Sequence, residues 1–257
     1  MTQVFGLLLE KVPLRNGLPY PLVDCLEYFN THSAALSTEG LFRVPGNIAI
    51  VNEIKKMYNM GQTVDLNKYD VHTVGSVFKV FFRELPDSLV TQENTDLFLV
   101  FIELDKIDKN QTLKKMQNLL GELPPVYFQV LKALIEFLVK VAARSENNKM
   151  DSKNLSLIFG PNIFNQQNVL DLMRADNPAP ICTQYFIDNY NAIFDDLIIK
   201  PAIASHTLQE SYSQVPSKHI AVPSKPLPPR PPMKALPSVP PPREKKETDV
   251  QQPVSIL

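Results

Sequence analysis

The chain has 257 residues, 44 % of them hydrophobic and 21 % charged, with 26 Lys and Arg against 27 Asp and Glu and a formal net charge of −1. That length supports one substantial core or two small ones, and near-neutrality argues against a nucleic-acid binder, which relies on clustered positive charge to neutralise phosphates. Two cysteines, Cys25 and Cys182, are too few for a disulfide framework, and no CxxC pair or Cys/His cluster offers a metal site. We therefore expect a reducing, cytoplasmic setting with no metal and no cofactor.

In chain order, the opening MTQVFGLLLEKV holds an apolar run too short for a signal peptide or a membrane span, so no direct membrane insertion is expected. Pro19 and Pro21 then suit the first turn of a helix, and Leu22, Cys25, Leu26 and Phe29 follow at i, i+3, i+4 and i+7. The same arithmetic places one apolar stripe on Ile48, Val51 and Ile54, another on Val71, Val74, Phe78 and Phe81, and a third on Val130, Leu131, Leu134, Phe137, Leu138 and Val141. Gly40, Gly46, Gly61, Pro86, Gly121 with Pro124, Gly160 with Pro161, and Pro178 with Pro180 punctuate these stretches. Alternation of period two is scarce. The expected fold class is all-α, a helical bundle of about seven to nine helices over residues 4–199.

Beyond that range the composition changes. All eight glycines and all fourteen phenylalanines precede residue 195, whereas the 57 residues from Pro201 onward hold 13 of the 23 prolines and one aromatic, Tyr212. A segment so poor in large apolar side chains cannot offset its ordering entropy by burial, so residues 200–257 are expected to form a disordered, proline-rich tail. From Pro201 onward the chain carries seven basic and four acidic residues, a net of +3, which leaves residues 1–200 at −4.

A self-contained active site is not evident, because GxxxxGK, GxGxxG, GxSxG and HExxH patterns are all absent. His32, His72, His206 and His219 are scattered. Three local strings stand out instead. Glu39-Gly-Leu-Phe-Arg43-Val-Pro-Gly46 sets an arginine between two glycines in a bent loop. Val74-Gly-Ser-Val-Phe-Lys79-Val-Phe-Phe-Arg83-Glu-Leu-Pro86 puts Lys79 and Arg83 at i and i+4 on one helix face. Met150 to Asn162 reads as a short buried helix with Leu155, Leu157 and Phe159 in the core, stopped by Gly160-Pro161 so that Asn162 falls outside its end. Taken singly, Arg43 reads as a capping or carboxylate-pairing arginine, and the basic pair as a solvated face.

In this order and at these separations, GLFRVPG, FKVFFRELPDSL about thirty-six residues later, and NLSLIFGPNIF resemble the Rho-family GTPase-activating (RhoGAP) domain, and FGLLLEKVPLRNGLPYPLVDCLEYF resembles that family's opening. The resemblance implies an all-α fold and a GTPase activator, an enzyme regulator with no nucleotide site of its own, whose partner is a GTP-bound Rho-family GTPase. It implies that Arg43 is the arginine finger inserted into that partner, that Lys79 contacts the GTPase or braces the finger loop, that Arg83 holds that loop in place, and that Asn162 faces the GTPase. Two positions depart from the family's pattern: Pro45 stands where a small hydroxyl residue is usual, and Ser88 where a proline is common. They leave open a second reading, a catalytically weak GTPase-binding adaptor on the same fold.

The tail repeats a basic-x-Leu-Pro-x-x-Pro pattern, once with Lys225, Pro228 and Pro231 and once with Lys234, Pro237 and Pro240. Polyproline II has three residues per turn, so prolines three apart line one edge and suit SH3 grooves, with the basic residue facing an acidic wall. The plainer reading is a stiff spacer. Ser255-Ile256-Leu257 fits a PDZ-type C-terminal ligand. Any membrane or cytoskeletal location is expected to come from such partners.

Overall fold

Pro21 sits near the start of the first helix, where a missing N–H breaks no intrahelical bond, and α1 runs Tyr20–Thr31. The computed structural model describes residues 3–164 and 177–195. After α1 come α2 (Ile48–Asn59), α3 (Val71–Arg83), α4 (Gln92–Leu104), α5 (Lys109–Gly121), α6 (Pro125–Ala142), the single turn α7 (Ser145–Asn148), α8 (Ser152–Ile163), α9 (Pro178–Asp188) and α10 (Tyr190–Phe194). Asn47, Asp70, Thr91, Asp108, Asp151 and Asn177 each accept a backbone N–H at the start of α2, α3, α4, α5, α8 and α9. Caps of this kind stabilise a helix by about 1 kcal/mol each.

Among the described residues the fold is all-α, with one addition. Asn16 (φ +54°) and Gly17 (φ +81°) form a two-residue turn joining β1 (Leu14–Arg15) to β2 (Leu18–Pro19), with Leu14 opposite Pro19. An Asn-Gly pair tolerates positive φ at both positions and so favours a tight hairpin. Strands of two residues are too short to show as alternation.

The predicted stripes on α1, α3 and α6 face inward, and all six apolar residues named on α6 are buried. Phe29 of α1, Phe78 of α3, Phe137 of α6 and Phe159 of α8 meet around Phe42, which comes from the loop between α1 and α2, with ring centroids 5.1–6.0 Å apart. This cluster joins four helices to one loop.

Three expectations are corrected. Ile48 opens α2 and is 69 % exposed, while Val51 and Ile54 are buried. Leu157 is 57 % exposed because it lies about 200° around α8 from Leu155. Finally, α8 does not stop at Gly160-Pro161: it continues to Ile163, with Asn162 inside its last turn. The interior proline costs about 3 kcal/mol, but Ile163 and Phe164 beyond it are both buried, a comparable gain. The Phe164 N–H closes the turn on the Gly160 carbonyl at 3.1 Å. Gly160 itself lets α8 and α9 approach, since a Cβ there would lie 2.9 Å from the Ala179 carbonyl.

Candidate functional site

Gly40 begins the arginine loop in the left-handed region (φ +69°), and its carbonyl accepts the N–H groups of both Arg43 and Val44 at 2.8 Å. The turn is thereby closed on itself. Phe42 is also left-handed (φ +69°), a conformation that strains a non-glycine residue by roughly 1–2 kcal/mol. Burial of its ring in the aromatic cluster offsets this, and Gly75 on α3 makes the room: a Cβ there would approach the Phe42 ring at 3.3 Å. With Phe42 turned inward, Arg43 is exposed and the neighbouring Val44 is 41 % exposed.

α3 holds this loop along one line of side chains. Lys79 Nζ donates to the Phe42 carbonyl. One turn earlier, Ser76 Oγ accepts the Gly46 N–H at 2.9 Å, and before it Thr73 Oγ1 accepts the Asn47 N–H at 3.4 Å. Thr73 is in turn fixed by Asp70, whose carboxylate accepts its hydroxyl at 2.6 Å and its N–H at 3.0 Å. Gly46 is required because a Cβ would lie 2.4 Å from Thr73 Cα.

Burial, and secondarily repulsion from Arg83, hold the Lys79 ammonium below the usual lysine range. Arg83 is exposed at the end of α3, one turn beyond Lys79. Asn162 is half-buried and donates to the Ile158 carbonyl at 3.1 Å, on the helix whose Phe159 packs on Phe42. Of the sequence-predicted residues, then, Lys79 is brought directly onto the loop of Arg43, whereas among the described residues neither Arg83 nor Asn162 is hydrogen-bonded to that loop. The contacts of Phe42, Thr73 and Ser76 with the loop were missed, and so was the close approach of Gly46 to Thr73. Only the doubled glycine of GLFRVPG signalled a constrained turn.

Elsewhere the chemistry is sparse. The Cys25 and Cys182 thiols are buried and pushed up by that burial, Cys182 to about 12. Among the described residues no cluster of three His, Cys, Asp or Glu would hold a metal, and no helix is long and apolar enough to cross a membrane. Lys225, Pro228, Pro231, Lys234, Pro237, Pro240 and the end at Leu257 lie outside the described residues.

The arrangement defines a helical domain that displays an exposed arginine from a loop strapped to α3. A family model of the RhoGAP domain matches residues 19–168, more than half of the chain, which belongs to the RhoGAP family. Rho GTPase-activating protein 1 of Mus musculus and that of Homo sapiens are each 35 % identical over 197 residues, 75 % of this chain and 44 % of theirs. Rho GTPase-activating protein gacJJ of Dictyostelium discoideum is 36 % identical over 76 % of this chain and 23 % of its own length. The chain thus spans less than half the length of these relatives. The crystal structure of human Rho GTPase activating protein 15 superposes with a TM-score of 0.67 and 27 % identity, covering 75 % of this chain and 92 % of that one. The BH domain of GRAF shares the fold at a TM-score of 0.59 and 23 % identity, covering 69 % of this chain and 94 % of that one.

Proposed function

We propose that this domain accelerates GTP hydrolysis on a GTP-bound Rho-family GTPase by inserting Arg43 into the partner's nucleotide site. The observation that carries the reading is the exposure of Arg43 immediately after a carbonyl held by Lys79, which gives a guanidinium on a stiff stalk. Phosphoryl transfer to water spreads negative charge over the γ-phosphoryl and the β–γ bridge, and a positive group delivered in a water-excluded site stabilises it. Fingers of this type contribute roughly 10³ to 10⁵ in rate, or about 4 to 7 kcal/mol of barrier. Lys79 braces the loop, and Arg83 and Asn162 face the GTPase. The domain acts as a regulator that completes another protein's site.

The tail extends the reading: Lys225 to Pro231 and Lys234 to Pro240 recruit SH3 domains, and two copies on one chain allow avidity. The C-terminal Ser255-Ile256-Leu257 is a second, PDZ-type address. Single-turnover phosphate release from a panel of GTP-loaded Rho-family GTPases tests the activity; acceleration of at least one is expected, and GTP-dependent binding without acceleration would make the domain an adaptor. Titrating SH3 domains against the full chain, with Pro228, Pro231, Pro237 and Pro240 replaced by alanine as control, tests the tail.

A further inference from the structure

We infer that Asn148 is a positioning residue for Arg43, a role that rests on the reading of Arg43 as the finger. Asn148 is fully buried and cannot touch a partner protein. Its side-chain amide is nevertheless fully engaged with backbone: Nδ2 donates to the carbonyls of Leu36 at 2.8 Å and Val141 at 2.9 Å, and Oδ1 accepts the Met150 N–H at 2.7 Å. Those three groups belong to the 3₁₀ turn that leads into the arginine loop (Ser33–Ser37), the last turn of α6, and the segment that opens α8. The side chain is a cross-brace between three elements that meet beneath the loop.

The Asn148 backbone completes the device. Its carbonyl accepts the Gly40 N–H at 2.8 Å. The next residue, Lys149, is left-handed (φ +60°) and returns its N–H to the Ser145 carbonyl, which fixes the direction in which the Asn148 carbonyl points. Gly40 is the residue whose own carbonyl receives the Arg43 and Val44 N–H groups. The turn that displays Arg43 is therefore held at its root by Asn148 and at Phe42 by Lys79. Ser76 and Thr73 hold the chain after Arg43, at Gly46 and Asn47, so Asn148 supplies the anchor at the start of the turn and the guanidinium is presented in one direction. Asparagine suits the position because it offers two donors and an acceptor at once, whereas aspartate would set a carboxylate against two carbonyls.

The test measures accelerated hydrolysis and exchange on the full chain. For Asn148→Ala, the rate at saturating domain should fall about 10- to 100-fold, as for a catalytic group displaced by roughly 1 Å, while the half-saturating concentration changes by less than about threefold. In an Arg43→Ala background the same substitution should add less than about twofold, because the brace acts through the arginine. Amide hydrogen exchange over residues 38–44 should quicken in Asn148→Ala while the α6 core stays protected. A raised half-saturating concentration with unchanged maximal rate, or an equal loss in the Arg43→Ala background, would overturn the inference. If Asn148→Ala does not fold, Asn148→Ser keeps one donor and one acceptor and is used in its place; failure of both to fold would make Asn148 a residue of the fold alone and overturn the inference too. Should the unaltered chain accelerate no GTPase, the finger reading fails by itself, and the exchange data still decide whether Asn148 anchors the loop.

Discussion

The ammonium of Lys79 donates its hydrogen bond to the carbonyl of Phe42, the residue directly before Arg43, across 37 positions of sequence. A donor so placed fixes the peptide plane from which the arginine departs, and a charged donor in a half-buried position strengthens that bond. Lys79→Met keeps the apolar stem and removes the donor. A loss of roughly 1.5–3 kcal/mol, or about 10- to 150-fold in accelerated hydrolysis, is expected from removing a hydrogen bond made by a charged group. Lys79→Arg should not restore the rate, since a planar fork does not fit a site shaped for one ammonium. Phosphate-release assays on both variants, with circular dichroism to verify folding, check this.

The same lysine gives a pH signature. Its folded-state pKa is depressed below the ordinary 10.5, chiefly by burial. Between the folded and unfolded values the unfolded chain binds more protons, so the Lys79 contribution to stability rises with pH. Denaturation midpoints measured at about pH 8 and about pH 10.5 should therefore move in favour of the unaltered chain relative to Lys79→Met. Movement in the opposite direction would mean that the charged form is favoured in the fold.

Two glycines with different reasons to be glycine make a paired prediction. A Cβ on Gly46 would lie 2.4 Å from Thr73 Cα and would push the loop off Thr73 and Ser76 together, whereas Gly61 (φ +71°) has nothing within 4 Å of its would-be Cβ. Gly46→Ala should destabilise the domain by about 1–3 kcal/mol through overpacking, and should lower hydrolysis further in the molecules that remain folded. Gly61→Ala should cost only the left-handed strain, roughly 1–2 kcal/mol, with activity per folded molecule unchanged. Thermal denaturation beside the hydrolysis assay separates the two.

The helices were legible because each large inward stripe repeats within its own segment, as on α1, α3 and α6, and so needs no knowledge of neighbours. Arg43, Lys79, Arg83 and Asn162 were singled out only as a set, through their resemblance to one family. The supports of the loop were not, because each depends on contacts distant in sequence: Gly46 on Thr73, Phe42 on Gly75, and Asn148 on Leu36, 112 positions away. Asn162 was misplaced because the rule that Gly-Pro ends a helix is local, whereas the burial of Ile163 and Phe164 that carries α8 onward is not. Leu157 was assigned to the core by residue type although its angle on the helix already set it apart from Leu155. The Asn16-Gly17 hairpin carried a readable local signal.

Single-turnover phosphate release with the unaltered chain, Arg43→Ala and Arg43→Lys decides whether Arg43 supplies the charge that hydrolysis lacks. Both variants should bind the GTP-loaded GTPase that the unaltered chain activates, and both should lose roughly 10³-fold or more of the acceleration, lysine included, because an ammonium cannot reproduce the guanidinium fork. Acceleration by Arg43→Ala equal to that of the unaltered chain would contradict the account.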